Sequence, residues 1–120
     1  MRMWMVPPKI LCHNHLFGEH LETHMFLGVM KKQTKLFGYL SKNLLEPLSL
    51  KSRHDLLEEE MRRRGFQPNS PIAFDESILE YLGNWKYTQI NKKKAKEVLL
   101  SRCLKCKERD KLVSVDYNTL

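Results

Sequence analysis

The chain has 120 residues, of which 42% are hydrophobic and 29% charged, a composition that excludes a disordered chain and suits one soluble domain. A formal charge of +7 favours nucleic acid or an acidic membrane surface as the partner, although a basic surface without a partner stays open. No apolar run reaches the roughly 18 residues that span a bilayer, and three irregularly spaced cysteines are typical of a reducing compartment. We therefore expect an intracellular protein without a membrane partner, acting in the cytoplasm, at the nucleoid or at a viral replication site.

The first part of the chain predicts an extended segment and then one long helix. Residues 1–8 are apolar, and Pro7 and Pro8 separate them from the next element. Asn14 is a favourable N-cap residue, so we place the helix from there to about Lys32. Because this helix is apolar on most of its circumference, we expect the rest of the domain to bury it.

The rest of the chain predicts three further helical stretches. Residues 33–51 read as a connection with one brief helix. A second helix begins at a capping-box-like Ser52–Asp55 and ends at Gly65, with Phe66 as its hydrophobic contact. A short helix is predicted next, at about 75–82. The last helix starts near Asn91, where apolar residues recur at spacings of three and four.

Together these patterns predict an all-α fold without strands. We expect one domain over residues 1–120, with three to four main helices around the buried first helix and a polar tail at 110–120.

A polar stripe on the first helix contains the first candidate catalytic groups. His15, Glu19 and Glu22 succeed each other at spacings of four and three, so they share one side of the helix. His20 and His24 share a different side. Two carboxylates and an imidazole in one line suit acid–base chemistry, and the alternative is an acidic stripe paired with Lys or Arg elsewhere.

Metal ligands are also present in the sequence. His20 and His24 have the i, i+4 spacing of zinc ligands, but no third ligand is fixed by spacing. Cys103 and Cys106 form a lone C-x-x-C, which could complete a zinc site with Cys12 and a histidine, or form a redox pair at a helix start. We place the pair late in a helix as two structural cysteines, and we expect no metal site.

The first 70 residues or so resemble the phage pyrimidine-dimer DNA glycosylases of the endonuclease V type, and above all their shorter microbial and viral relatives. The resemblance lies in the opening Met-Arg-x-Trp at 1–4, the stretch Phe17–His20 with Glu22, and the later Arg53–Asp55 helix that ends in Arg64-Gly65-Phe66. In the first helix, Asn14-His15-Leu16, Gly28 and Lys31-Lys32 also match without a gap.

The resemblance implies a DNA repair enzyme whose nucleophile is an N-terminal α-amine and whose essential carboxylate lies on the first helix. Those roles fall to Met1 and Glu22, with His15, Glu19, His20 and His24 in support. We expect Met1 to be retained, because Arg2 is too large for normal methionine removal. An α-amine ordinarily titrates at about 7.7–8.0, so part of it is a neutral nucleophile at physiological pH. No cofactor is expected, since amine and substrate themselves form the imine.

Two features depart from the phage pattern. The two arginines that grip DNA around the glutamate are replaced by Leu21 and Met25, and we expect His20 or His24 to substitute for them. The basic and aromatic C-terminal segment has only a compositional counterpart in 85–87, which is Trp-Lys-Tyr.

The implied partner is damaged double-stranded DNA, bound by a monomer. Four residues are our candidates for phosphate contacts: Arg2, Lys9, Lys31 and Lys32. The competing hypothesis is a non-catalytic helical module that binds nucleic acid or zinc.

Overall fold

The computed structural model describes the backbone of residues 1–119 and the side chains of residues 1–114. Within these residues the chain folds into helices alone, which confirms the all-α fold. The five α-helices are α1 (His13–Lys31), α2 (Phe37–Ser41), α3 (Leu50–Arg63), α4 (Lys92–Arg102) and α5 (Leu104–Thr119). A 3₁₀ helix at Pro8–Ile10 precedes α1, and two more, at Pro47–Ser49 and Glu76–Tyr87, lie in the connections before and after α3. No helix in the described part is long and apolar enough to cross a membrane.

The core forms where α1 packs on α3. Buried positions recur at spacings of three and four on both helices, as the amphipathic pattern requires. Leu16 and Phe26 of α1 and Leu57 of α3 are fully buried. Burial of each such side chain contributes about 1.5–3 kcal/mol, so this interface is a main source of stability.

The core covers only one side of α1. Leu21 and Met25 are 59% and 46% exposed. The expectation that the domain buries α1 is therefore met on the side facing α3 and not around the whole circumference. These two exposed apolar side chains lie on either side of Glu22 in the sequence. Because they are exposed, they are accessible to a partner.

The boundaries of the first two long helices differ from the sequence prediction at their starts. Cys12, and not Asn14, precedes α1 as its N-cap. The second predicted helix, α3, begins at Leu50, so Ser52–Asp55 is not its capping box. Its predicted end is confirmed: Gly65 has a φ of 91°, and Phe66 N–H donates to the Met61 carbonyl over 3.0 Å.

The predicted last helix is two helices. Cys103 has extended backbone angles (φ −126°, ψ 106°) and separates α4 from α5. The prediction of one continuous helix was wrong because apolar spacing does not register a single residue that leaves the helix. As a result, Cys106 lies in the first turn of a helix and not late in one. Residues 110–119, expected as a polar tail, continue α5, and Leu120 lies outside the described residues.

Candidate active site

Contacts to the backbone fix the N-terminal segment, residues 1–6, against the helices. The segment was expected to be extended, but Met5 interrupts it with a positive φ of 58°. Met3 N–H donates to the Leu44 carbonyl over 2.8 Å. The guanidinium of Arg53 donates to the Val6 carbonyl over 2.6 Å. The side chains of Met3 and Val6 are buried in the core. The first residues of the chain therefore have a defined position.

This position brings the start of the chain to Glu22 of α1. The backbone amide of Arg2 donates a hydrogen bond to Oε2 of Glu22 over 3.3 Å. Met1 and Glu22 line one open cleft of about 280 Å³. The full lining of this cleft, called the N-terminal cleft below, is Met1, Arg2, Trp4, Asn14, His15, Gly18, Glu19 and Glu22.

The polar stripe predicted on α1 faces this cleft. His15, Glu19 and Glu22 all contribute to its lining. Glu22 and His15 are partly accessible, whereas Glu19 is 1% exposed. Trp4 packs edge-on against the His15 ring, with ring centroids 5.9 Å apart. Trp4, Asn14 and Gly18 also line the cleft and were not predicted as site residues, although all three belong to the stretches that carry the resemblance.

Glu19 forms a buried ion pair with Arg53 of α3. Nε and Nη2 of Arg53 donate to the two carboxylate oxygens over 2.6 and 2.9 Å. Both side chains are almost completely buried. For Glu19, the structure therefore fits the alternative to acid–base chemistry, in which a carboxylate of the stripe is paired with a basic residue. Since the same guanidinium also holds the Val6 carbonyl, this pair ties the N-terminal segment to α1 and α3.

His20 and His24 lie away from the N-terminal cleft, against α3. The His20 ring stacks on His54 with centroids 4.8 Å apart, and its N–H donates to Glu58 over 3.0 Å. His24 Nε2 lies 3.1 Å from His54 Nε2. Burial lowers the pKa of His20 against the opposing effect of Glu58. Burial, with repulsion from the other two imidazoles, lowers the pKa of His24.

The predicted phosphate-binding residues occupy different regions. Arg2 lines the N-terminal cleft, with its guanidinium 3.9 Å above the Trp4 ring. Lys31 and Lys32 are exposed at the end of α1, nine and ten residues beyond Glu22, or about 14 Å along the helix. Lys9 is exposed on the first 3₁₀ helix and is not part of the cleft lining.

Further lysines beside the N-terminal cleft were not predicted as contact residues. Lys42 and Lys94 share a small cleft of about 80 Å³ with Arg2. A larger cleft of about 530 Å³ contains Lys92, Lys93 and Lys96 of α4, and no acid or histidine is among its lining residues. A third cleft, of about 390 Å³, also contains groups capable of acid–base chemistry, His13 and Glu108. The N-terminal cleft differs from it in combining the start of the chain, Met1 and Arg2, with the carboxylate of Glu22.

Aromatic side chains form a separate exposed group. Trp85 packs edge-on against Phe37, with centroids 5.1 Å apart, and both are about half exposed. Tyr87 is 61% exposed, with the Lys86 ammonium 5.2 Å from its ring centre. This surface has the composition of a base-stacking platform.

Two groups of potential metal ligands are present within the described residues. His20, His24 and His54 offer ring nitrogens within 4.8 Å of one another. The second group, called the cysteine cluster below, consists of Cys12, His15, Cys103 and Cys106, with donor atoms equally close.

The thiols of the cysteine cluster have shifted pKa values. Burial raises the pKa of Cys106 to about 12. At Cys103 burial raises the pKa too, but hydrogen bonds, first that from the Cys106 amide, outweigh it and the pKa lies below its ordinary value.

Comparison with known proteins identifies the family. Residues 1–74, more than half of the chain, match the family described as pyrimidine dimer DNA glycosylase. No curated protein and no solved structure gives a significant match. The match includes the N-terminal segment and α1, which supply the whole lining of the N-terminal cleft, and it also includes α3. The chain belongs to the pyrimidine dimer DNA glycosylase family.

Proposed function

We propose that the protein breaks a glycosidic bond of a pyrimidine dimer in double-stranded DNA and cleaves the strand at the resulting abasic sugar, with the α-amine of Met1 as nucleophile and Glu22 as the essential carboxylate. The observation that supports this most is the hydrogen bond from the Arg2 amide to Glu22, one residue from the amine. Family membership supplies the reaction class. In a cell such an enzyme acts where the DNA is.

The proposed reaction begins with attack on the sugar of the damaged nucleotide. The lone pair of the neutral amine forms a bond to C1′, and the glycosidic C–N bond breaks with its electrons going to the departing base, which takes up a proton. Loss of the amine proton and opening of the sugar ring then give an imine between C1′ and the α-nitrogen of Met1. No additional oxidant or cofactor is required for these steps.

Strand cleavage proceeds from the imine. Removal of a proton from C2′ sends its electron pair into the imine system, and the C3′–O bond breaks with the phosphate as leaving group. A carboxylate beside the imine is suited to move this proton and to protonate the ring oxygen earlier. Glu22 is half-buried and lines the cleft with Met1, so it can serve both steps.

Other cleft residues have supporting roles in this proposal. Glu19 acts through Arg53 as a positioning residue, because its carboxylate is fully occupied by that guanidinium. His15 lines the cleft directly. His20 and His24 would act at a distance, since they pack on His54 and not on Glu22.

DNA must be opened for the amine to reach C1′, and extrusion of a nucleotide is the general solution for such enzymes. Arg2, Lys31 and Lys32 are proposed to bind phosphates around the cleft, with Lys9 as a more remote contact. Leu21 and Met25 are exposed where the phage enzymes have arginines, and we propose an apolar contact with DNA there. His20 and His24, which were expected to replace the arginines, pack against α3 instead.

Cleavage of matched duplexes tests this function. Three end-labelled duplexes of one sequence carry a thymine dimer, an abasic site or no damage, and the chain used begins at Met1, verified by intact mass. We expect cleavage of the first two and not of the third. Cleavage of the abasic duplex alone would refute the dimer substrate. Binding to all three without any cleavage would instead support the non-catalytic module.

A further inference from the structure

The cysteine cluster joins two regions that are far apart in the sequence. Cys12 and His15 lie at the start of α1, while Cys103 and Cys106 lie at the junction of α4 and α5. The two pairs have the spacings C-x2-H and C-x2-C, with which one turn of chain can supply two ligands to one ion. Because 91 residues separate Cys12 from Cys103, only the fold brings the pairs together.

The donor atoms of the cluster lie within 4.8 Å of one another, and three of their distances are close to those of a tetrahedral site. Sγ of Cys12 lies 3.8 Å from Sγ of Cys103 and 3.2 Å from Nδ1 of His15. Sγ of Cys106 lies 3.6 Å from the same nitrogen. Bond lengths of about 2.3 Å to sulfur and about 2.0–2.1 Å to nitrogen place tetrahedral zinc ligands about 3.8 Å (sulfur–sulfur) and about 3.6 Å (sulfur–nitrogen) apart. One ion at the centre therefore reaches all four residues with little movement.

Backbone amides already support the sulfur atoms. Cys12 N–H donates to Sγ of Cys106 over 3.2 Å, and Cys106 N–H donates to Sγ of Cys103 over 3.4 Å. Hydrogen bonds of this kind orient metal ligands and stabilise thiolate charge. Cys12 and Cys106 are also buried, which shields a metal–sulfur bond from water.

We propose that Cys12, His15, Cys103 and Cys106 bind one Zn²⁺ in a closed structural site. Four protein ligands leave no open position for a water or substrate, so this zinc holds the fold and does no chemistry. Such a structural ion is compatible with an enzyme, unlike the non-catalytic zinc-binding module, and its presence can be tested without measuring glycosylase activity.

The proposed zinc connects the C-terminal helices to the N-terminal cleft. His15 lines that cleft together with Met1 and Glu22. A bond from zinc to Nδ1 would fix the orientation of the His15 ring and hold the start of α1 against α5. Cys103 and Cys106 lie beyond residues 1–74 that match the family, so half of the ligand set is outside the matched region.

Two competing uses of these residues fit less well. A disulfide requires sulfur atoms about 2.05 Å apart, whereas those of Cys12 and Cys103 are 3.8 Å apart. The three-histidine group is the other possible metal position, but its nitrogens have hydrogen-bond acceptors: His54 Nε2 faces the Ser70 carbonyl at 2.9 Å and His20 faces Glu58 at 3.0 Å.

The test is metal analysis and zinc X-ray absorption on the whole chain, purified under reducing conditions without chelator and then offered zinc sulfate. We expect about one zinc per chain, with three sulfurs at about 2.3 Å and one nitrogen at about 2.0–2.1 Å. A shell of nitrogen and oxygen alone would overturn the proposal. So would protein that neither carries nor takes up zinc, including protein that forms a disulfide instead.

Matched variants locate the ion. Cys103→Ser combined with Cys106→Ser should abolish zinc binding, whereas His24→Gln, in the competing histidine group, should retain about one zinc per chain. Zinc retained by the cysteine variant and lost by His24→Gln would contradict the assignment. If the cysteine variant does not fold, the absorption spectrum of the unmodified chain still decides. No DNA cleavage is measured, so failure of the glycosylase proposal leaves this result unaffected.

Discussion

The backbone amide of Arg2 donates a hydrogen bond to Oε2 of Glu22 across 3.3 Å. This contact joins the second residue of the chain to the middle of α1. The carboxylate thus contacts the residue next to Met1, which carries the α-amine, and Met1 and Glu22 line the same cleft. An amine and a carboxylate held in this way suit the imine-forming reaction that we propose.

Glu22→Gln should separate binding from cleavage. Glutamine can still accept the hydrogen bond from the Arg2 amide, but it cannot carry a proton. We expect the single-turnover cleavage rate on an abasic duplex to fall about 10²–10⁴-fold, the usual contribution of a general acid–base, with DNA affinity nearly unchanged. The control is Glu59→Gln, an exposed carboxylate on α3 paired with Arg63. Normal turnover by Glu22→Gln would remove Glu22 from the mechanism.

Arg53→Met should destabilise the fold strongly. The substitution leaves the Glu19 carboxylate buried without a partner and removes the donor to the Val6 carbonyl. Breaking a buried ion pair from one side costs about 3–5 kcal/mol, measured here as the free energy of unfolding in urea. Lys51→Met, on the same helix but in an exposed pair with Asp55, should change it by less than about 1 kcal/mol. Equal effects of the two substitutions would show that the buried pair is not a main support of the N-terminal segment.

Stability should decline below pH 6.5 because of His20 and His24. Burial first of all holds both pKa values below the ordinary 6.5, so the folded state favours the neutral imidazoles. As the pH falls, these histidines therefore bind protons at a higher pH in the unfolded chain than in the folded one. The stability present above pH 6.5 is lost as the pH falls from 6.5 through the lower pKa values of the folded state. Urea denaturation between pH 7.5 and 5 measures this.

The combined variant His20→Gln, His24→Gln is the control for this pH dependence. It should show a flatter dependence of stability on pH than the unmodified chain over the same range, because the two titrating imidazoles are gone. An identical slope in both proteins would assign the effect to other groups.

DNA affinity should depend steeply on salt, and Lys31 and Lys32 should contribute to that dependence. Each phosphate contact adds about 0.9 to the magnitude of the slope of log affinity against log salt. Replacing both lysines with glutamine should lower the slope by up to about 1.8 for duplex DNA. Lys51→Gln, whose ammonium is paired with Asp55, is the matched control and should leave the slope unchanged. An unchanged slope in the double variant would place the end of α1 outside the DNA interface.

The sequence predicted the helices well because their signals are local. An apolar run after a favourable N-cap residue located α1, and Gly65 correctly marked the end of α3, since its positive φ is a property of one residue. The break at Cys103 was missed because the apolar spacing continues through this residue and gives no local signal of a helix end.

The candidate site was predictable only in part. The shared stripe of Glu19 and Glu22 is a consequence of helical geometry, and both line the N-terminal cleft. The ion-pair partner of Glu19 could not be predicted in this way, because Arg53 is 34 residues away and only the packing of α1 on α3 brings it near. The same limit applies to the cysteine cluster, in which Cys12 and Cys103 meet across 91 residues. Contacts between distant segments depend on the tertiary fold, which local patterns do not specify.

Borohydride trapping tests the central claim most directly. Reduction converts an imine between enzyme and DNA into a stable bond, and peptide mapping then identifies the attached nitrogen. With an abasic duplex and the chain beginning at Met1, we predict a covalent adduct on the α-amine of Met1. The same chain carrying extra N-terminal residues should give no adduct while still folding and binding DNA. An adduct on a lysine, or equal trapping by the extended chain, would contradict the account.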